Sequence, residues 1–475
     1  MDSLYKGKIN GFSVFAVGIF ILIVAPGISF LNFVALMIAA YQFALLFYSF
    51  NYVIPIRYLA GSLMCLQFLV GPTFAYMGLD EYQYFKYKMQ VPEWDYYSYA
   101  IPAVICFILG LNINSKLKGE FINKESIMNY VKAHPKMIYI FIIGGFVSSV
   151  IASFFGSEFG FVFYLLGNFK FIGAFLLIIG GVRLKPLPII IVFGSIIASS
   201  LGSSMFHDLI TWLIFLLAIL AIKYQPPMPV KTAIGVGFIV LVVVIQQLKG
   251  AYREANPYGG NKGNLSTFGT VYTQQKNKGA LFDKVSLAQS NVRISQGFIL
   301  SHIIKHIPKK EPYANGEELY KILEAAFLPR ILAPNKLKAG DNKLVRKYSG
   351  IQLTDDTSMS LSAPGDGYIN FGLAGGCIFM FVLGGFFNFV LVKFEKISRK
   401  VPLALLFTPL VFYFPIRPDT ALQTGLGHLV KACFLLYFIL VVWRHHFEQL
   451  PKSFLQKMKK GVEENLTASQ LSVNP

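Results

Sequence analysis

Charge is scarce in this sequence. Only 14% of its 475 residues are Asp, Glu, Lys or Arg, where soluble proteins stand near a quarter. So little charge, set against 55% hydrophobic residues, excludes a disordered chain and almost any water-soluble enzyme. Cysteine is scarcer still. Cys65, Cys106, Cys377 and Cys433 all fall inside apolar stretches, so neither a disulfide scaffold nor a disulfide between loops is expected. Acidic residues are the scarcer sign: 24 against 43 Lys and Arg, a formal net charge of +19. In a soluble protein that surplus would raise nucleic acid as a partner. Here its placement decides, and no nucleic-acid partner is inferred. A cleavable leader is not evident either. The first apolar stretch lacks a small-residue cleavage site and runs into a second, so it reads as a span.

Long apolar runs, rich in 45 Phe and 25 Tyr, are abundant. A bilayer core needs about 17–25 apolar residues per helix. On that measure about twelve spans are expected, over 11–26, 28–49, 58–77, 98–112, 137–154, 161–181, 187–203, 206–222, 231–248, 369–392, 401–416 and 425–443. The fold class is an all-α polytopic integral membrane protein. Its parts are 1–248 with nine spans, a loop over 249–368, three spans over 369–443, and a basic tail over 444–475. No internal repeat is evident, which weakens a transporter built on inverted repeats.

Lys and Arg orient the chain. With both termini in the cytoplasm, cytoplasmic segments hold about 21 of them and short external loops about 3, at Lys86, Lys88 and Arg417. That is the positive-inside pattern. The external loop 249–368 holds 17 Lys and Arg against 10 Asp and Glu. Long loops escape the topological charge rule, so this surplus points to function. Within the loop, 256–279 reads as a mobile polar loop and 281–308 as one or two helices. Glu317 to Leu328 carries an amphipathic stripe of Leu319, Ile322, Leu323, Ala326 and Phe327. Such helices could pack over the membrane-embedded body or lie at its interface.

Two motifs follow. The first is Phe327-Leu-Pro-Arg330-Ile-Leu-Ala-Pro334-Asn-Lys336, an extended turn framed by prolines. The second is Ala363-Pro364-Gly365-Asp366-Gly367-Tyr368-Ile369-Asn370-Phe371-Gly372, a glycine-rich turn leading into the tenth span, whose start could bind an anion. These motifs, with about a dozen spans and one large external loop, resemble bacterial oligosaccharide repeat-unit polymerases, the Wzy-type O-antigen and capsule polymerases. The architecture covers most of the chain and the motifs cover 327–336 and 363–376. Asp366 stands where Glu is common in that family. The resemblance implies an enzyme of the bacterial inner membrane with its large loop in the periplasm. It implies transfer of a growing glycan from undecaprenyl diphosphate to a new lipid-linked repeat unit. No metal or other cofactor takes part. The lipid-linked oligosaccharide, the bilayer, and the pathway's flippase and chain-length regulator are the implied partners.

A diphosphate leaving group gathers negative charge in the transition state, which preorganised cations stabilise. Arg serves best, because its planar fork binds two phosphate oxygens. Arg253, Arg330 and Arg417 are the first candidates, with Arg293, Arg346 and Lys336 in the same loop system. The plainer reading of each is an interfacial anchor or a loop salt bridge, and Asp419 stands close to Arg417. Candidates for the base that deprotonates the acceptor are Glu254, Asp366, His302 and His306, although an Asp in a glycine-rich turn is ordinarily a turn former. His302 and His306 also have a metal-ligand spacing but no acidic partner in register. Tyr368 and Asn370 join the substrate-binding set through their motif. Lys170 and Lys431 lie inside apolar spans, where a charge faces a cavity, finds a partner or snorkels. His207-Asp208 could line the same cavity, or Asp208 could cap a helix. The aromatics of 82–97 form an interfacial belt or a platform for sugars. An O-antigen-ligase-like transferase, a polyprenyl-phosphate-sugar transferase and a lipid or polysaccharide transporter are the competing readings.

Overall fold

The computed structural model describes residues 11–113, 120–155, 157–181, 186–256, 264–328, 333, 336–337, 342–353, 359–442 and 446–447. Every regular element among them is helical. In chain order they are α1 (Gly11–Val24), α2 (Phe30–Ser49), α3 (Ile56–Tyr76), α4 (Glu93–Leu111), α5 (Lys124–Ala133), α6 (Lys136–Ala152), α7 (Ser157–Gly167), α8 (Phe169–Ile179), α9 (Pro186–Ser203), α10 (His207–Tyr224) and α11 (Met228–Ala255). Then come α12 (Leu265–Asn277), α13 (Lys284–Ile294), α14 (Gly297–His306), α15 (Glu317–Phe327), α16 (Asn342–Ser349), α17 (Ser362–Ser398) and α18 (Leu422–Val442).

Among the described residues nine helices are long and apolar enough to cross a membrane, or ten if α5 and α6, bent by 87°, form one span. The protein is an all-α polytopic membrane protein, with fewer full-length spans than the twelve expected. Three expected spans fall short for different reasons. Helix α1 has 14 residues, about 21 Å at 1.5 Å each, against a hydrocarbon core of about 30 Å. Helix α6 has 17 residues and is cut from α5 at His134-Pro135. Pro402, Pro409 and Pro415 break 401–416 into the short turns Ala404–Phe407 and Thr408–Val411, all buried through Tyr413.

The segment 249–368 is more helical than its composition implied. The stretch 256–279, expected as a mobile loop, contains α12. Asn264 caps that helix by accepting from the Thr267 N–H at 2.8 Å. Asp283 caps α13 in the same way at 2.9 Å. The predicted amphipathic helix is α15, which buries Ile322, Ala325 and Ala326. It packs on α18, where Gly427 lets Ala326 approach, and its Phe327 meets Phe386 of α17. The expected glycine-rich turn over 363–376 is instead helix. It breaks at Gly372, with φ 66° and ψ −160°, a region open essentially to glycine alone.

Two features hold the bundle together. Helices α4 and α17 touch backbone to backbone. A Cβ at Gly110 would overlap the Phe381 carbonyl oxygen, and one at Gly384 the Phe107 carbonyl oxygen. Small residues permit such close packing, which replaces a hydrophobic drive that lipid cannot supply. Beneath this contact Arg57, 2% exposed, reaches across three elements. It donates to Glu120 Oε1 at 2.5 Å, to Asn388 Oδ1 at 2.5 Å and to the Leu111 carbonyl. In the fold it is a buried clamp.

Helix α3 positions the segment 249–368. It carries a π turn over Leu66–Val70, in which the Gly71 N–H bonds Leu66 O. That takes the usual helical donor from the Gln67 carbonyl, and Pro72, next in line, has no N–H to offer it. Pro72 likewise cannot serve Phe68. Both carbonyls find donors from outside: Gln67 O accepts from the Gln296 N–H at 3.1 Å, and Phe68 O from the Tyr96 hydroxyl at 3.0 Å. Asn291 adds a bond to Gly71 O at 2.9 Å. The junction of α13 and α14 is thereby fixed to α3.

Gly384→Leu is expected to lower the melting temperature sharply in detergent, since overpacking costs about 1–3 kcal/mol or more. Gly194→Leu, a matched change at a glycine with open space around it, should leave the melting temperature unchanged. Arg57→Ala strands Glu120 without its counter-charge and should cost about 3–5 kcal/mol. A double-mutant cycle with Glu120→Ala measures the coupling.

Candidate functional site

A cleft of about 970 Å³ opens where α11 ends and α18 begins. That volume suits a sizeable ligand. Helix α11 supplies Gln247, Gly250, Arg253 and Glu254; α13 supplies Gln289 and Arg293. Tyr84 and Tyr87 come from the short loop before α4, and Asp419 from the turn before α18.

The cations converge because α11 continues past its apolar section and α13 is pinned beside it. Arg293 donates to the Gln246 carbonyl and lies across Gly250, where a Cβ would stand 3.0 Å from its Nη2. Gly250 thus leaves room for the guanidinium. Lys249 is within electrostatic reach of Arg253, Arg293, Arg417 and Asp419. Arg417 pairs with Asp419 at 3.3 Å, and Asp419 also accepts from Gln67 Nε2 at 3.2 Å. Burial alone would raise the Asp419 carboxyl. Arg417 beside it and the Gln67 amide hold it below the ordinary carboxylate range. Arg417 Nη1 is buried with no hydrogen-bond partner among the described residues, and an unmade bond to a buried cation is costly. Glu254, exposed on α11, is the carboxylate next to Arg253 in the cleft.

Of the predicted residues, the cleft brings together Arg253, Arg293 and, through Asp419, Arg417. Arg330 lies outside the described residues. The others have separate places. Asp366 is buried in the first part of α17 rather than in a turn, within electrostatic reach of Glu318. Asn370 donates to Asp366 O at 2.8 Å and accepts from the Leu319 N–H at 3.1 Å, so it joins α17 to α15. Tyr368 packs edge-on against Tyr99 at 4.9 Å. Tyr368 and Asn370 pack and join the helical segment, Asp366 is buried within it, and none of the three lines the cleft. Lys336 donates to Ala325 O at 3.2 Å and Leu328 O at 2.6 Å, capping the C-terminus of α15. Arg346 donates to Leu353 O.

Lys170 lies over the rings of Phe146 and Phe171, at 4.9 and 5.6 Å. Lys431 is exposed over Phe161 at 4.7 Å. Both have aromatic faces as neighbours. His207 pairs with Asp208 at 2.7 Å, and Asp208 also accepts from the Tyr413 hydroxyl. Among the described residues no group of three or more His, Cys, Asp and Glu gathers as a metal site. His302 is half-buried in α14, and His306 packs against Gly350. Of the aromatics over 82–97, Tyr96 and Tyr97 are buried in α4, while Tyr84, Phe85 and Trp94 are exposed.

Sequence reasoning missed Lys249 and Gln67. A signal existed for each. Lys249 directly precedes Gly250 at the polar end of an apolar run, and Gly71-Pro72 marks a disturbed helix beside Gln67.

Fold and site together define a polytopic membrane protein with a cation-lined polar cleft at one end of its bundle. The chain belongs to the family described as "Domain of unknown function (DUF8712)", whose model matches residues 34–419. The matched span contains every charged residue of the cleft. No curated protein and no solved structure matches the chain.

Burial is the main cause that lowers the His302 imidazole from 6.5 to about 4. Between those values the unfolded chain binds the proton and the folded chain does not. Its contribution to stability is therefore complete above pH 6.5 and is lost as pH falls toward 4. His302→Leu is expected to flatten the pH dependence of thermal stability over that window, read from melting curves at stepped pH.

Proposed function

We propose that this protein is a membrane glycosyltransferase that polymerises oligosaccharide repeat units carried on undecaprenyl diphosphate. The observation that carries this reading is the convergence of Arg253 and Arg293 on one polar cleft at the end of a membrane-spanning bundle, with Lys249 and Arg417 within electrostatic reach. In the proposed reaction Arg253 and Arg293 bind the diphosphate of the donor. The acceptor hydroxyl attacks the anomeric carbon, the bond from that carbon to the diphosphate oxygen breaks, and Glu254 takes the hydroxyl proton. The charge left on the diphosphate is met by cations already in place, which need no reorganisation during the reaction. Glu254 replaces Asp366 as the base in this reading, because it lies in the cleft with the arginines. The positive-inside count supports both termini in the cytoplasm of a bacterial inner membrane, with 249–368 and the cleft on the periplasmic side. The lipid-linked donor then reaches the cleft from the outer leaflet, after the pathway's flippase has acted and where its chain-length regulator works.

Full-length protein in lipid nanodiscs, given undecaprenyl-diphosphate-linked repeat units, is expected to yield a product ladder without added metal. Arg253→Ala and Arg293→Ala should each slow it by about 10²–10³, and Glu254→Gln by about 10²–10⁴. Lys336→Ala, a change at a helix cap, should leave the specific rate of folded protein unchanged. A ladder that survives the Arg253→Ala/Arg293→Ala double variant sinks the proposal. So does a ladder that chelators abolish. Transfer of preformed polymer to a different acceptor, with no ladder, would identify a ligase instead.

A further inference from the structure

The cations occupy only part of the cleft. Much of the remaining lining is amide: Gln83, Gln247, Gln275, Gln289 and Gln296, drawn from separate places in the chain. We propose that this wall is a subsite for an uncharged sugar bearing hydroxyl and acetamido groups, next to the diphosphate. The inference rests on the glycosyltransferase reading and names the class of sugar that it handles.

A carboxamide both donates and accepts, so it can meet a hydroxyl in either sense and an acetamido group in both. Gln247 shows how the wall is set. Its Oε1 accepts from the Phe282 N–H at 3.3 Å, which fixes the amide's orientation. Among the described residues its Nε2 is then left buried with no hydrogen-bond partner, and Gln83 Nε2 is in the same condition. Both residues line the cleft, and either donor gains its missing partner by turning toward an acceptor oxygen of a ligand held there. Gln296 is placed by the bond from its N–H to Gln67 O, so the π turn of α3 positions part of this wall. Tyr84, 78% exposed, and Tyr87, held edge-on by Phe298 at 5.5 Å, offer ring faces at the same site.

The charge pattern favours a neutral sugar over a uronic acid. The amides offer a carboxylate no counter-charge, and Glu254 and Asp419 in the same cleft repel one. The nearby cations are committed to the diphosphate. Gln83 and Gln247 are therefore the specificity-determining residues of the subsite.

Saturation-transfer NMR on the full chain in nanodiscs tests this, with N,N′-diacetylchitobiose as the neutral probe and a glucuronate-containing disaccharide as the acidic one. Inorganic diphosphate is present at saturation. Chitobiose is expected to take up saturation and the glucuronate disaccharide to take up little. The Gln83→Leu/Gln247→Leu variant should lower the chitobiose signal at least fivefold, while thermal stabilisation by inorganic diphosphate stays at the wild-type level and reports an intact fold. If the double variant loses that stabilisation, Gln83→Leu alone decides, with at least a twofold loss expected. An unchanged chitobiose signal in the folded variant, or equal uptake from the acidic probe, overturns the subsite. Absence of any diphosphate stabilisation in the wild type, with glutamine-dependent chitobiose binding retained, would instead remove the diphosphate reading and leave the subsite standing.

Discussion

The Gln67 carbonyl is the hinge on which the site turns. A π turn and Pro72 leave it without a helical donor, and a buried carbonyl must find one elsewhere. It takes the N–H of Gln296, more than two hundred residues later in the chain. The Gln67 side chain holds Asp419, the partner of Arg417. One residue in a disturbed helix thus ties together the α13–α14 junction and the turn before α18. Arg293 and Asp419 reach one cleft because both are referred to the same point. A regular helix at 66–70 would return the Gly71 N–H to the Gln67 carbonyl and offer no such anchor.

The rest of the bundle tolerates this irregularity because its other joints are stiff. Gly110 and Gly384 let α4 and α17 meet at backbone distance, where many small dispersion contacts add up. Arg57 and Glu120 are a buried ion pair, and the guanidinium also donates to Asn388 Oδ1 and the Leu111 carbonyl. Such pairs add little net stability over apolar residues of similar size. They demand one arrangement, however, because any shift strands a charge away from water. Gly372 contributes another fixed point. Its backbone conformation separates the first ten residues of α17 from a second part that is long enough by itself to cross a bilayer.

Much of the site chemistry was legible in the residues, and its location was not. Arg253, Arg293 and Arg417 stood out by type; the first two line the cleft, and Arg417 pairs with its Asp419. Asp366, Tyr368 and Asn370 stood out by motif, yet they lie away from the cleft in a broken helix, where Tyr368 packs on Tyr99 and Asn370 joins two helices. Glycine spacing marks backbone freedom and does not say whether a turn or a kink uses it. Lys336 reads as a phosphate ligand in sequence and acts as a helix cap in space. Its length suits both tasks, so only its neighbours distinguish them. Polar composition at 256–279 suggested a loop, whereas a capped helix forms there and packs partly on the bundle.

Sequence alone determined the class of protein. Apolar runs of bilayer length and a one-sided distribution of Lys and Arg are local properties, and they dictate membrane helices whatever the packing. It also determined the amphipathic α15, since the 3.6-residue period needs no tertiary context. Tertiary structure decided which cations share a cleft, which charges are clamps and which amides lack partners among the described residues. Those are relations between residues far apart in the chain. They depend on close approaches at Gly110, Gly250 and Gly384 and on a carbonyl orphaned by Pro72, and no local pattern encodes where such approaches lead.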